Sequence, residues 1–256
     1  MSIHVDFASR LATGEPLFSA WVGSREPAIA ALLAREAFDL VTLDMQHGAV
    51  DVDAAIRGIQ LVAGAGKPTV VRIPVGEFQT TSRLLDAGAA AVIAPMINSA
   101  ADARAFAAFA KFPPLGERSW GPHAALALSG LAPKDYLARA NGLTQAVAMI
   151  ETRAALDAVD DILAVEGIDA VFIGPADMSI ALSGGRDLDP ESAAVDAAID
   201  HVLARARATG KAVWVYAGPP ERAAALARKG IVVSAIGSDT TFLRQGAQAA
   251  LAVVGR

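Results

Sequence analysis

Short β-branched runs alternate with alanine-rich segments of helical period from residue 17 almost to the end of the chain, and this alternation constrains the fold more than any other feature. Eight runs read as strands: Leu17–Val22, Leu40–Asp44, Thr69–Ile73, Ala91–Pro95, Thr144–Ile150, Ala170–Ile173, Ala212–Tyr216 and Val232–Ile236. Between them Pro27–Ala37, Asp51–Ala63, Phe78–Ala87, Ala100–Lys111, Ala154–Val165, Pro190–Thr209 and Pro219–Lys229 read as helices, and Asp239–Val253 closes the chain. Gly64, Gly88, Gly167, Gly210 and Gly230 each fall after a helical segment and before a strand, where a glycine ends a helix by turning left-handed. Strands separated by helices run parallel, because the crossover returns the chain to the same edge. Eight such repeats in 256 residues fit an α/β protein of the closed (βα)8, or TIM, barrel type, one domain over residues 1–256. An open doubly wound sheet usually has fewer strands.

The residue balance agrees with this fold and excludes several function classes. Hydrophobic residues make up 54% of the chain and aromatic ones only 5%, so the excess lies in Ala, Val, Leu and Ile, the side chains of strands buried on both faces. A membrane span needs about 18 uninterrupted apolar residues. The apolar stretch Ala87–Ile97 is shorter and contains Gly88 and Pro95, so no membrane partner is expected. The start, MSIHVDFASR, carries an acid and no apolar core of a secretory signal, which makes the cytoplasm the expected location. A net charge of −5 without a basic run offers no footprint for nucleic acid and leaves a small molecule as the expected partner. With no cysteine, any metal must be held by carboxylates or by the four histidines.

In a parallel barrel the chemistry sits at the carboxyl ends of the strands. There the chain places Asp44-Met45-Gln46-His47-Gly48, then Arg72, then Glu151, then Gly174-Pro175-Ala176-Asp177. Asp177 alone reads as a helix cap. Glu151 and Asp177 together end adjacent strands, where their carboxylates can share Mg²⁺, Mn²⁺ or Co²⁺ with water and substrate oxygens completing the shell. The competing role for Glu151 is an ion pair with Arg153, but two bare carboxylates facing each other would leave one protonated. Arg72 ends an apolar strand, where a guanidinium needs an anion: a substrate oxygen, or an internal pair with Asp44 or Glu151. His47 is the only histidine at a strand end and is the general-base candidate. His4 at the terminus, His123 in a loop and His201 within a helix read as structural. Gly64–Pro68, GAGKP, precedes a strand and lacks the Lys-Ser/Thr pair of a phosphate loop. The segment Pro113–Pro133 reads as a mobile loop.

Eight motifs in order, AWVG at Ala20–Gly23, LDMQHG at Leu43–Gly48, VVRIP at Val70–Pro74, LLDAGA at Leu84–Ala89, APM at Ala94–Met96, PPLGER at Pro113–Arg118, IETRAAL at Ile150–Leu156 and FIGPADMS at Phe172–Ser179, resemble the HpcH/HpaI aldolase family over nearly the whole chain. The resemblance implies a metal-dependent aldolase that cleaves the C3–C4 bond of a 4-hydroxy-2-oxo acid to pyruvate, or a close 2-oxo acid, and an aldehyde. It implies that Glu151 and Asp177 bind the metal, that His47 is the acid/base, and that Arg72 stabilises the transition state. It further implies that Asp86 raises the basicity of the histidine, reaching toward a neighbouring subunit, and that backbone around Gly174 and Ala176 binds the pyruvate carboxylate. Trp21 and Tyr216 would line the pocket, with Asp44, Gln46 and Met149 as weaker pocket candidates. Two positions depart from the family's pattern: related enzymes carry Glu where this chain has Gln46, and Gln where it has Met149. Metal affinity and substrate preference are the properties these changes touch.

An aldolase can instead form an imine on lysine. The five lysines do not support that route: Lys67 and Lys211 open strands at the opposite face, and Lys111, Lys134 and Lys229 lie at helix ends or in a loop. Two further readings are an acyl-CoA lyase on a related barrel, which would need a nucleotide site, and a barrel used only for binding. Metal-dependent release of pyruvate separates the three. Phe242, Leu243, Ala247, Ala250, Leu251 and Val254 form an apolar stripe on the last helix, broader than a barrel helix needs, which points to a homo-oligomer; the family resemblance implies a hexamer.

Overall fold

The computed structural model describes residues 2–255. Eight parallel strands close into one barrel in sequence order: β1 (Leu17–Val22), β2 (Leu40–Asp44), β3 (Thr69–Arg72), β4 (Ala91–Ala94), β5 (Gln145–Ile150), β6 (Ala170–Ile173), β7 (Ala212–Gly218) and β8 (Val233–Ser238). The helices are α1 (Ile3–Thr13), α2 (Pro27–Ala34), α3 (Val52–Gly64), α4 (Thr80–Ala87), α5 (Ala100–Ala110), α6 (His123–Ser129), α7 (Pro133–Leu143), α8 (Arg153–Asp157), α9 (Val159–Leu163), α10 (Pro175–Ser183), α11 (Ala193–Thr209), α12 (Pro220–Lys229) and α13 (Asp239–Val253).

Each strand is buried on both faces, which is why its sequence is a run and not an alternation. Inward residues such as Leu17, Leu40, Val70, Val147 and Trp214 fill the barrel, and outward ones such as Val41, Val71, Val92 and Val171 pack under the helices. Helix α1 stoppers the amino-terminal end of the barrel: Phe7 meets Trp214 edge-on at 6.2 Å, and the His4 ring is hydrogen-bonded to the Gly88 carbonyl at 3.0 Å. Beside that end, the buried Lys111 ammonium donates to the carbonyls of Asn141 (2.7 Å) and Thr144 (2.8 Å) and to the Asp169 carboxylate (2.7 Å), so every proton it carries is used. Lys67 and Lys211 likewise donate to loop carbonyls, of Phe38 and Val165.

Several details differ from the sequence reading. Strand β3 stops at Arg72 and β4 at Ala94, while β7 and β8 run on to Gly218 and Ser238. Helix α1 was not expected, although Ser2 caps it and Phe7 and Leu11 recur at helical spacing. The supposed loop over residues 113–133 contains α6, so His123 opens a helix and does not lie in a loop; α7 then follows. Ala154–Val165 is two helices broken at Ala158, α10 intervenes before α11, and α11 starts at Ala193. Gly88, Gly210 and Gly230 do cap helices in the left-handed region. Gly64 does not: it is the last residue of α3, and the left-handed turn falls at Gly66 (φ 78°). Gly167 is required for space instead, since a Cβ there would lie 2.5 Å from that of Ala107. Helix α13 has no buried residue, and Leu243 on it is 75% exposed. Among the described residues no helix is long and apolar enough to cross a membrane.

Candidate active site

Strand register sets the first half of the site. Asp44 and Arg72 are direct neighbours on β2 and β3, so their side chains leave the barrel wall side by side. Arg72 Nε donates to Asp44 Oδ1 at 2.9 Å and Nη2 to Oδ2 at 2.7 Å, a two-point fork between groups that are 7% and 4% exposed. Trp21 Nε1 also donates to Oδ2 (3.1 Å), and the backbone N–H groups of Gln46 and His47 donate to Oδ1 (3.0 and 3.3 Å). Burial alone would push the Asp44 carboxyl up, but Arg72, with help from Trp21 and the His47 amide, holds it below the usual carboxylate value. The guanidinium lies over the Trp21 ring at 4.9 Å. The internal pair with Asp44, one of the partners open to Arg72 from sequence, is therefore the one formed. His47 stands exposed at the rim, its backbone tied to Asp44.

The second half is less compensated. Ile150 on β5 is level with Ile173 on β6, which brings the next residue, Glu151, beside Gly174 at the start of α10. Glu151 is 1% exposed; Oε1 accepts the Met96 N–H at 2.8 Å, and Oε2 is buried without a partner. Met96 holds φ at 56°, the only non-glycine in the left-handed region among the described residues. Arg153 donates to the Leu182 carbonyl, so it is not the counter-ion of Glu151. Burial first, and then the Asp177 carboxylate, raise the Glu151 pKa to about 7 against the opposing Met96 N–H and Arg72. Asp177 lies in the first turn of α10, whose N-terminus no side chain caps, leaving the early N–H groups open to an anion.

These groups fit a divalent cation. Glu151 Oε2 lacks a donor, Asp177 sits beside it, and a Cβ on Gly174 would come within 2.9 Å of that oxygen, so glycine keeps the space open. Among the described residues no group of three or more His, Asp or Glu side chains forms a closed metal cage. An ion here would take the two carboxylates and draw the rest of its oxygen shell from water and ligand.

The halves meet in a pocket of about 260 Å³ lined by Trp21, His47, Arg72, Met149, Phe172, Gly174, Pro175, Ala176, Asp177 and Tyr216. Trp21 contacts Phe172 (5.8 Å between ring centroids) and meets Tyr216 edge-on (5.3 Å). A space this size takes a small molecule. A larger groove of about 780 Å³, with Arg104, Glu117, Asp161 and Glu166, lies on the outer flank by α5 and α9, away from the strand ends. Phe172 and Met96 were not expected at the site; Phe172 looks from sequence like any core residue of β6. Two candidates are not brought in. Gln46 is half-buried behind the pocket, and its side-chain oxygen has no partner. Asp86, on α4, accepts from buried Arg118 at 2.6 Å, and Arg118 in turn lies over Phe112 at 4.5 Å, so within one chain Asp86 does not line the pocket.

A parallel barrel with an arginine fork and two carboxylates at its carboxyl-end mouth has the form of an enzyme acting on a small molecule. The sequence matches the model of the HpcH/HpaI aldolase/citrate lyase family over residues 17–246. It is 39% identical over 205 residues to a hydroxypyruvate/pyruvate aldolase of Rhizorhabdus wittichii, covering 80% of each chain. It is 34% identical over 249 residues to a 4-hydroxy-2-oxo-heptane-1,7-dioate aldolase of Salmonella arizonae, covering 97% and 94%. A crystal structure of a family protein from Burkholderia cenocepacia J2315 superposes with a TM-score of 0.87 at 30% identity, over 98% and 99% of the two chains. The chain belongs to the HpcH/HpaI aldolase/citrate lyase family.

The raised Glu151 carboxyl has a measurable consequence for the metal-free protein. The folded state holds this proton more tightly than the unfolded chain, whose carboxyl titrates near 4.5. The resulting stabilisation is complete below pH 4.5 and is lost as the pH rises through about 7. Glu151→Gln should therefore gain on the wild type by up to about 3 kcal/mol across that window in urea unfolding of the apo-proteins. A difference independent of pH would show that the carboxyl is not buried in this way.

Proposed function

We propose that the protein is a divalent-metal-dependent aldolase that reversibly cleaves 4-hydroxy-2-oxo acids to pyruvate, or a close 2-oxo acid, and an aldehyde. The observation that carries this reading is the partnerless, buried Glu151 Oε2 beside Asp177, whose own side chain lines the pocket together with Arg72. Glu151 and Asp177 would hold Mg²⁺, Mn²⁺ or Co²⁺, which when bound supplies Lewis-acid withdrawal of electrons from the 2-oxo group.

The protein's own groups account for the remaining steps. The uncapped start of α10, around Gly174 and Ala176, receives the 2-oxo acid's carboxylate. His47 at the rim takes the proton from the 4-hydroxyl, and the C3–C4 bond breaks. Its electron pair passes into the C2–C3 bond, and C4 with its oxygen leaves as the aldehyde. The pyruvate enolate left behind places its charge against the Arg72 N–H groups that Asp44 does not occupy. Protonation at C3 then gives pyruvate. Asp44 acts here as a positioning residue, since it holds the guanidinium and the His47 backbone at once. Among the described residues no lysine lines the pocket, so this reading needs no imine.

The assembly is proposed to be a homo-oligomer, with a hexamer as the form implied by family resemblance. Its support is α13, which has no fully buried residue and exposes Leu243 and Leu251, with Val254 exposed just past its end.

Two outcomes test these readings. Chelation should abolish pyruvate release from a 4-hydroxy-2-oxo acid, Mg²⁺, Mn²⁺ or Co²⁺ should restore it, and His47→Ala should lose about 10²–10⁴ in rate while still binding metal and pyruvate. Full turnover by metal-free Glu151→Ala would reject the reading. Light scattering at micromolar concentration should report an oligomer, which Leu243→Glu weakens; a monomeric wild type would reject the interface.

A further inference from the structure

In the aldolase reading the 2-oxo acid is held by Arg72 at the end of β3 and by the open start of α10. Tyr216 on β7 stands across the barrel mouth from β3 and lines the central pocket. The same residue lines two further cavities. The smaller, about 160 Å³, passes between Pro175 and Arg222. The larger, about 540 Å³, opens between the ends of β7 and β8, and Gly218 and Pro219 are shared by both.

The larger cavity carries charge of one sign. Among the described residues Glu221 is the only carboxylate or base lining the larger cavity, whose other polar side chains include Thr241 and Gln245. Asp239 stands at the same end of the barrel, its carboxylate accepting the Ser24 and Thr240 N–H groups at 2.8 Å. The smaller cavity is mixed: Glu191 lines it together with Arg222, which donates one N–H to Asp196 at 2.5 Å. An anionic tail entering the larger cavity meets an acid and no base. Hydroxyl groups meet a threonine, a primary amide and a carboxylate, all able to hydrogen-bond to them.

We propose that the aldehyde portion of the substrate extends past Tyr216 into the cavity between β7 and β8, and that Glu221 makes this subsite select uncharged, hydroxyl-bearing aldehydes over anionic ones. The proposal rests on the aldolase reading of the central pocket and deepens it. Selectivity of this kind works by repulsion of the wrong partner as much as by attraction of the right one.

The test is a length-matched pair: pyruvate addition to 4-hydroxybutanal, which is neutral, and to succinic semialdehyde, which ends in a carboxylate, using the metal-loaded enzyme. The wild type should favour the neutral aldehyde in kcat/KM by about tenfold, and Glu221→Lys should raise kcat/KM for succinic semialdehyde relative to the neutral aldehyde by about tenfold. Glu221→Gln should fall between them. Deuterium exchange into pyruvate, which uses no aldehyde, should be the same in all three proteins and reports that the central pocket is intact. Equal or better use of succinic semialdehyde by the wild type, or an unchanged ratio in Glu221→Lys, overturns the subsite. Absence of pyruvate exchange in the wild type overturns the aldolase reading, and the subsite with it.

Discussion

The site depends on one interaction, the fork between Arg72 and Asp44 across the β2–β3 register. A guanidinium at the end of an apolar strand would be costly alone, and so would the carboxylate facing it. Joined at two points and shielded by the Trp21 ring, they become a rigid charged platform inside the barrel mouth. The same carboxylate fixes the turn that carries Gln46 and His47, so a single side chain sets the position of an arginine, an indole and a histidine. Removing one partner of such a pair strands the other charge, which typically costs about 3–5 kcal/mol.

Across the pocket the balance is reversed. Glu151 receives one N–H on one oxygen and nothing on the other, and its neighbour Asp177 has the same sign of charge. An arrangement that folding alone would not favour persists because the barrel over-determines it: β5 and β6 fix the spacing, and Gly174 keeps the gap clear. Local conflict of this kind marks places where function opposes stability. In the aldolase reading we propose, the compensated half would hold an anion and the uncompensated half a cation.

All eight strands were legible because a strand buried on both faces leaves an apolar run that nothing nearby imitates. The helices were less legible where packing decided them. Helix α1 is formed by a short amphipathic stretch whose value lies in Phe7 reaching Trp214 through the barrel floor, a contact more than two hundred residues away in sequence. Helix α6 lies in a Pro- and Gly-bearing stretch that local rules assign to a loop, yet Phe112 and Tyr136 of α7 give it a small core. At the site, residue types at strand ends indicated Arg72, Glu151, Asp177 and His47, whereas partners did not follow from type. Arg72 had two acids to choose from, and only register decides for Asp44. Asp86 was drawn in by resemblance alone; its bond to Arg118 belongs to the helical layer, and only a neighbouring chain could bring it to a pocket. Phe172 and Met96 had no signal that distinguishes them from core and turn residues.

The central claim is that Asp44-held Arg72 carries the enolate charge as one unit. Deuterium incorporation into the pyruvate methyl group, followed by NMR in the metal-loaded enzyme, reads that step without an aldehyde. Arg72→Lys and Asp44→Asn should each slow exchange by about 10² or more, since a lysine cannot reproduce the fork and an amide cannot accept it with the same strength. The double variant should be little slower than the worse single one, as expected of residues acting together. Exchange at the wild-type rate in Asp44→Asn, or losses that multiply in the double variant, would contradict the account.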